Sequence, residues 1–165
     1  MRNLADRKCC KKPFRKAIVG GAFDRFHKGH RALIDAAVRL ADSLLIGLAD
    51  GPLLAAKSFK ERIMPYKERE RLIRSYLQER NVPFHIVKIV EPIGPAGTDE
   101  TADVIIVSPE TYERALMINE ERARNGLKEL FIVVVPTVLA EDGKPLKSHR
   151  IRAGEIDPEG RPIEK

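Results

Sequence analysis

Five short aliphatic runs constrain this chain more than any other feature: KAIVG (16–20), SLLIGLA (43–49), FHIVKIV (84–90), DVIIVS (103–108) and LFIVVVPTV (130–138). Each is of strand length, and amphipathic helical patterns alternate with them. In GHRALIDAAVRLAD (29–42), Ala32, Leu33, Ala36, Ala37 and Leu40 fall on one helical face. YKERERLIRSYLQER (66–80) turns Leu72, Ile73, Tyr76 and Leu77 inward, and PETYERALMINEERARNG (109–126) carries Pro109 in its first turn and Gly126 as its C-terminal cap. SHRIRAGEI (148–156) reads as a short last helix with Ser148 as N-cap. Strands that are aliphatic on both faces are covered on both faces. The pattern therefore predicts an α/β fold, a doubly wound, mostly parallel five-stranded sheet with helices on both sides.

Domain organisation follows from the same pattern. Residues 16–157 form one domain, preceded by a basic, flexible arm (1–15) and followed by a loose tail (158–165). The arm holds Arg2, Arg7, Lys8, Lys11, Lys12 and Arg15, and its adjacent Cys9 and Cys10 read as free thiols, because neighbouring cysteines rarely meet disulfide geometry. The arm is basic without an apolar stretch behind it, so it does not read as a secretory signal, and no run approaches the ~20 apolar residues of a membrane span. A cytoplasmic protein without a membrane partner is expected. The net charge of +6 points to an anionic partner without saying which. A nucleic-acid-binding module would need a basic stripe interleaved with exposed aromatics, and aromatics make up only 5% of the chain, so nucleic acid is not an expected partner. The oligomeric state is open, with a monomer as the working expectation.

Ligands of doubly wound sheets bind beyond the carboxyl ends of the strands. There, after the first strand, stands GGAFDRFHKGH (20–30). Gly20 and Gly21 allow close backbone approach, and the helix that follows aims its free N–H groups and positive dipole end at the same point. His27 and His30, three apart, can both face it. The arrangement suits a phosphate held where charge develops in a reaction. It is neither G-x-G-x-x-G nor G-x-x-x-x-G-K-[ST]. An H-x-x-H pair also fits one packed and one solvated ring. Asp24, His27 and His30 have metal-ligand spacing as well, but no further carboxylate or histidine cluster stands ready to complete such a site.

HKGH after a strand and a G-x-F-D turn resembles the H-x-G-H signature of the nucleotidyltransferases. The usual second signature, I-S-S-T-R, is matched by LKSHR (146–150), where Ser148 and Arg150 keep the pattern and Lys147 and His149 depart from it. EPIGPAGTD, VSPETY, LAEDGKPL and PYKERERL narrow the likeness to the archaeal and eukaryotic branch of phosphopantetheine adenylyltransferase, across residues 16–157. The resemblance implies a Rossmann-like fold and one reaction. The phosphate of 4′-phosphopantetheine attacks the α-phosphorus of ATP, giving dephospho-coenzyme A and pyrophosphate, with Mg²⁺ carried on the nucleotide and no metal bound by protein ligands. It implies that Gly20, Gly21, Ala22, Phe23, His27, His30, Ser148, Arg150 and Arg152 bind the nucleotide. Asp24, Lys57, Lys60, Ser108, Glu110, Tyr112, Asn119 and Arg122 are the acceptor-side candidates. His27, His30, Lys57 and Arg150 are the candidates for the catalytic step, Lys57 as the cation bridging the two substrates and Lys60 as its rival. The same fold serves other acceptors, FMN, nicotinamide mononucleotide or glycerol phosphate.

Overall fold

The computed structural model describes residues 11–164; Cys9, Cys10 and the rest of the first ten residues lie outside them. In chain order the elements are β1 (Phe14–Gly21), α1 (Lys28–Leu40), β2 (Ala41–Ala49), α2 (Tyr66–Gln78), β3 (Phe84–Ile89), β4 (Val104–Val107), α3 (Tyr112–Arg124), β5 (Phe131–Val134) and α4 (Ser148–Arg152). The five strands form one sheet in the order β3-β2-β1-β4-β5, and every pairing is parallel, more uniformly than the pattern predicted. Strand order reverses between β1 and β4, so their carboxyl ends diverge and leave a crevice.

Successive side chains of a strand point to opposite faces, and the two cores divide accordingly. Val19, Ile46, Leu48, Val104 and Ile106 pack with Ile34 and Ala37 of α1 and Ile73 and Leu77 of α2. Ile18, Leu45, Ile105 and Val107 pack with Ala115 and Ile118 of α3. The end of α3 is closed as its sequence predicts. Gly126 takes φ 71°, its N–H bonds to the Ala123 carbonyl at 3.1 Å, and the Leu127 N–H bonds to that of Arg122 at 2.8 Å, the pair of bonds that satisfies the last turn's orphan carbonyls.

Several boundaries are corrected. The sheet begins at Phe14, not Lys16: the Arg15 N–H and guanidinium both bond Asp103, and the Phe14 ring lies 5.5 Å from that of Phe131. α1 runs into β2 without a loop, because Ala41 is already extended while its N–H still bonds Ala37. α3 starts at Tyr112, so Pro109 precedes the helix. β5 stops at Val134, and although the Val135 N–H still reaches Val107, Pro136 has no N–H to continue the ladder. Residues 158–164 are not a loose tail. Pro158 accepts the Lys28 N–H at 3.0 Å, Ile156 bridges Pro162, and Gly160 packs on Ala140 and Leu146. No helix among the described residues is long and apolar enough to cross a membrane.

Candidate functional site

A cleft of about 410 Å³ opens at the strand-order reversal, walled by the ends of β1, β4 and β5, the start of α1, the loop after β2 and the segment leading into α4. The β1–α1 turn is its floor. Phe23, Arg25 and Phe26 all take positive φ (49°, 64° and 35°), a costly conformation for side chains of this size. The turn is held in it by buried bonds. The Asp24 carboxylate, with no exposed surface, accepts the Met64 N–H at 2.9 Å and pairs with Arg152 at 2.9 Å, while the Ser148 hydroxyl donates to the Asp24 carbonyl at 3.0 Å.

The two histidines cap α1 reciprocally. His27 Nδ1 accepts from the N–H groups of Gly29 (3.1 Å) and His30 (3.3 Å), and His30 Nδ1 accepts the N–H of His27 (3.2 Å). The rings stack with centroids 3.6 Å apart. The glycine between them suits this packing, since a Cβ at Gly29 would lie 3.0 Å from His27 Cε1 and press on that ring. With Lys28 bonded to Pro158 and Arg31 to the His27 carbonyl, the first-turn amides of α1 are all occupied. The expectation of free helix N–H groups facing a ligand is thus corrected: the imidazoles stand between the helix and the cleft. An Nδ1 that accepts an N–H is unprotonated, so each neutral ring carries its proton on Nε2. No Nε2 bond is present among the described residues, and both rings line the cleft. Burial, then the charge of Arg31, lowers the His27 pKa to about 4. Burial, then His27, Lys57 and Arg31, places His30 well below its ordinary value.

Cations gather around this pair. Lys57 reaches the cleft from the loop after β2; partial withdrawal from water, then the charges of Arg152 and Arg114, lower its pKa from the ordinary lysine value. That loop is anchored just beyond it: Arg152 donates to the Ser58 carbonyl at 3.0 Å, Arg62 to the Arg152 carbonyl at 2.9 Å, and Arg25 to the Arg62 carbonyl at 2.6 Å. Ser108 and Glu110 line the opposite wall.

The structure thus brings Gly20, Gly21, Ala22, Phe23, Asp24, His27, His30, Lys57, Ser108, Glu110, Ser148 and Arg152 together at one cleft. Five candidates are placed elsewhere. Asn119 is buried, donating to the Leu130 carbonyl at 3.0 Å and accepting its N–H at 2.7 Å. Arg122, also buried, donates to the carbonyls of Lys128, Ala96 and Asp99. Arg150 pairs with Asp142 and Glu155 and donates to the Pro145 carbonyl, outside the cleft lining. Lys60 and Tyr112 are exposed and away from the lining. Ser148 lines the cleft but caps no helix; the N-cap position is Lys147.

Other residues of the site carried little signal. Lys147 and His149, the departures from the second signature, both line the cleft, as do Thr111 and Thr137. Arg69 is fully buried beneath it, donating to the carbonyls of Ala22 (2.9 Å) and Ala49 (2.7 Å), the ends of β1 and β2. Its place on the inward stripe with Ile73 and Leu77 was the available clue. A narrow second cavity of about 40 Å³, lined by Ile18, Ile89, Ile93 and Ile118, shares Gly20 and Thr111 with the cleft. Arg114 stands in its wall with no hydrogen bond or ion pair among the described residues.

Residues 18–154 match the cytidylyltransferase-like family. A phosphopantetheine adenylyltransferase of Methanothermobacter thermautotrophicus is 41% identical over 155 residues, covering 94% of this chain and 93% of its own. One from Thermococcus kodakarensis is 39% identical over 154 residues, 93% of each chain. A solved protein of unknown function from Archaeoglobus fulgidus superposes with a TM-score of 0.65 at 33% identity, over 73% of this chain and 88% of that one. Pantothenate synthetase from Thermus thermophilus shares the fold, with a TM-score of 0.58 at 19% identity over 86% of this chain and 63% of that one.

Proposed function

The chain belongs to the cytidylyltransferase-like family, among its phosphopantetheine adenylyltransferases, and from that premise we propose how its cleft moves the adenylyl group of ATP onto 4′-phosphopantetheine. An oxygen of the acceptor phosphate attacks the α-phosphorus, the bond from that phosphorus to the bridging oxygen breaks, and pyrophosphate leaves with the electron pair. The products are dephospho-coenzyme A and pyrophosphate. No covalent enzyme intermediate is needed, so the protein's task is alignment and charge stabilisation.

The observation that carries this reading is the reciprocal histidine cap. Two neutral rings, each with its Nδ1 committed to backbone amides, present Nε2–H donors from the positive end of α1. Donors fixed in advance stabilise charge growing on the phosphoryl oxygens without reorganising at the moment of reaction. The amides polarise the rings from behind, so the helix dipole acts through the imidazoles. In this reading Lys57, in the cleft lining, is the cation that bridges the two substrates, and Arg152, held by Asp24, serves the nucleotide. The small apolar second cavity, which shares Gly20 and Thr111 in its lining with the cleft, gives the acceptor side an apolar border, and Arg114 at its wall adds a cation there. Mg²⁺ fits as a companion of the nucleotide's own phosphates, because the cleft lining holds two carboxylates, Asp24 and Glu110, of which Asp24 is buried and engaged by Arg152, too few for an all-protein cage. It would neutralise charge on the departing pyrophosphate.

The test is pyrophosphate release with Mg-ATP and each acceptor in turn. Turnover with 4′-phosphopantetheine alone is expected. Turnover with FMN, nicotinamide mononucleotide or glycerol phosphate instead would replace the acceptor. Silence with all four, together with steeply salt-dependent retention of oligonucleotides, would replace the reaction itself.

A further inference from the structure

One ion pair crosses the cleft. Glu110 stands on the lip between β4 and α3, Lys147 on the facing lip directly before α4, and their charged groups are in contact. Both side chains are partly exposed, 57% for Glu110 and 36% for Lys147, and a pair so exposed adds little to folding stability. Its surroundings give it another meaning. Lys57, Arg152 and Arg114 make this region cationic, and Asp24, the other carboxylate in the lining, is buried and already bound to Arg152 and the Met64 N–H. Glu110 is therefore the one lining carboxylate whose partner is a partly exposed lysine, which meets it through a single ammonium group.

An entering polyphosphate offers Lys147 more negative charge than Glu110 does, and it meets Glu110 as a like charge. Given the adenylyl-transfer reading above, we infer that Lys147 is a polyphosphate-binding cation held in reserve by Glu110, and that the nucleotide takes the lysine over as it enters. Glu110 is then a competitor of the nucleotide rather than a contact of the acceptor. When pyrophosphate leaves, Glu110 recaptures the lysine and the cation is not left unpaired between turnovers.

The exchange makes the two partners' substitutions act in opposite directions. Lys147→Met removes a charge-assisted contact and weakens binding of α,β-methylene-ATP with Mg²⁺ about ten-fold by calorimetric titration. Glu110→Gln removes the competitor and the like charge and tightens binding about three-fold. Thermal melting of both variants within a few degrees of wild type shows that the effects are local. If Glu110→Gln weakens nucleotide binding or leaves it unchanged, or Lys147→Met leaves it unchanged, the exchange is wrong. It is equally wrong if Glu110→Gln raises the acceptor KM and spares the nucleotide, because Glu110 is then an acceptor contact. Wild-type turnover measured alongside separates the two readings: nucleotide binding without adenylyl transfer to any acceptor defeats the proposed reaction, while the opposite signs of the two variants still decide the exchange.

Discussion

Two corners of this molecule bury polar side chains against backbone, and they do it to different ends. At the α3–β5 corner, Asn119 makes both of its contacts with the backbone of Leu130, and Arg122 donates to three carbonyls of the surrounding loops. At the β1–α1 turn, His27 and His30 each spend one nitrogen on backbone amides and keep the other in no bond among the described residues, at the wall of a cleft. Burial alone does not separate scaffold from site, since Asn119 and His27 are 7% and 5% exposed. What separates them is whether bonding capacity remains and where it faces. The first corner uses polar groups to finish a fold whose loops would otherwise bury orphan carbonyls. The second uses the backbone to orient polar groups for something else.

The largest effect that would sharpen this contrast is on rate. His30→Ala is expected to lower kcat about 10²–10³-fold, the usual consequence of losing one preorganised donor to developing charge. Nucleotide affinity should change far less, because the contact strengthens in the transition state. Steady-state kinetics beside a binding titration read both numbers. An equal loss in the two would make the ring a plain binding group and blur the distinction between the corners.

The opposite corner should fail in the opposite way. Arg122→Leu keeps an apolar stem but leaves the carbonyls of Lys128, Ala96 and Asp99 without their donor. A loss of about 3 kcal/mol in unfolding free energy by urea titration is expected, with kcat per folded molecule unchanged. A variant of normal stability and reduced kcat would show that this corner reaches the chemistry after all.

Such contrasts also explain what could be read in the chain and what could not. The layering was legible because aliphatic runs and helical stripes are local periodicities, and the histidine turn because all its parts lie within eleven residues (20–30). The fate of the later cations was not. Arg150 and Arg152 are chemically identical and two residues apart, but two steps around a helix turn a side chain by roughly 200°. One meets Asp142 and Glu155, the other Asp24 and the Ser58 carbonyl. The partners of Arg152 lie 94 and 128 residues away in the chain and those of Arg150 in the irregular segments flanking α4, and neither kind of pairing leaves a periodic trace. Asn119 and Arg122 did leave one, since both share the buried face of α3 with Ala115 and Ile118. On such a face, a polar residue is bonded inward more often than it is offered to a ligand.

The smallest effect concerns acid, and it tests the histidine corner without any ligand. An unfolded histidine titrates near 6.5, whereas burial and the nearby Arg31 charge hold folded His27 at about 4. Between those values the unfolded chain binds a proton that the folded one refuses. The contribution to stability is therefore complete above pH 6.5, lost progressively as pH falls towards 4, and constant below. By pH 5.5 the loss from His27 comes to about 1.4 kcal/mol. Carboxylates whose pKa values the fold lowers, such as Asp99 and Asp103, also erode stability in acid, so wild type alone does not isolate the ring. His27→Asn does, because asparagine can still accept the first-turn amides but does not titrate. Urea unfolding at pH 7.5 and 5.5 should then show the variant losing less stability than wild type by roughly that amount. Equal losses would mean that His27 takes up its proton as readily folded as unfolded. A ring that protonates there cannot keep Nδ1 as an acceptor for the Gly29 and His30 amides, and the cap that fixes its Nε2 proton towards the cleft would not hold.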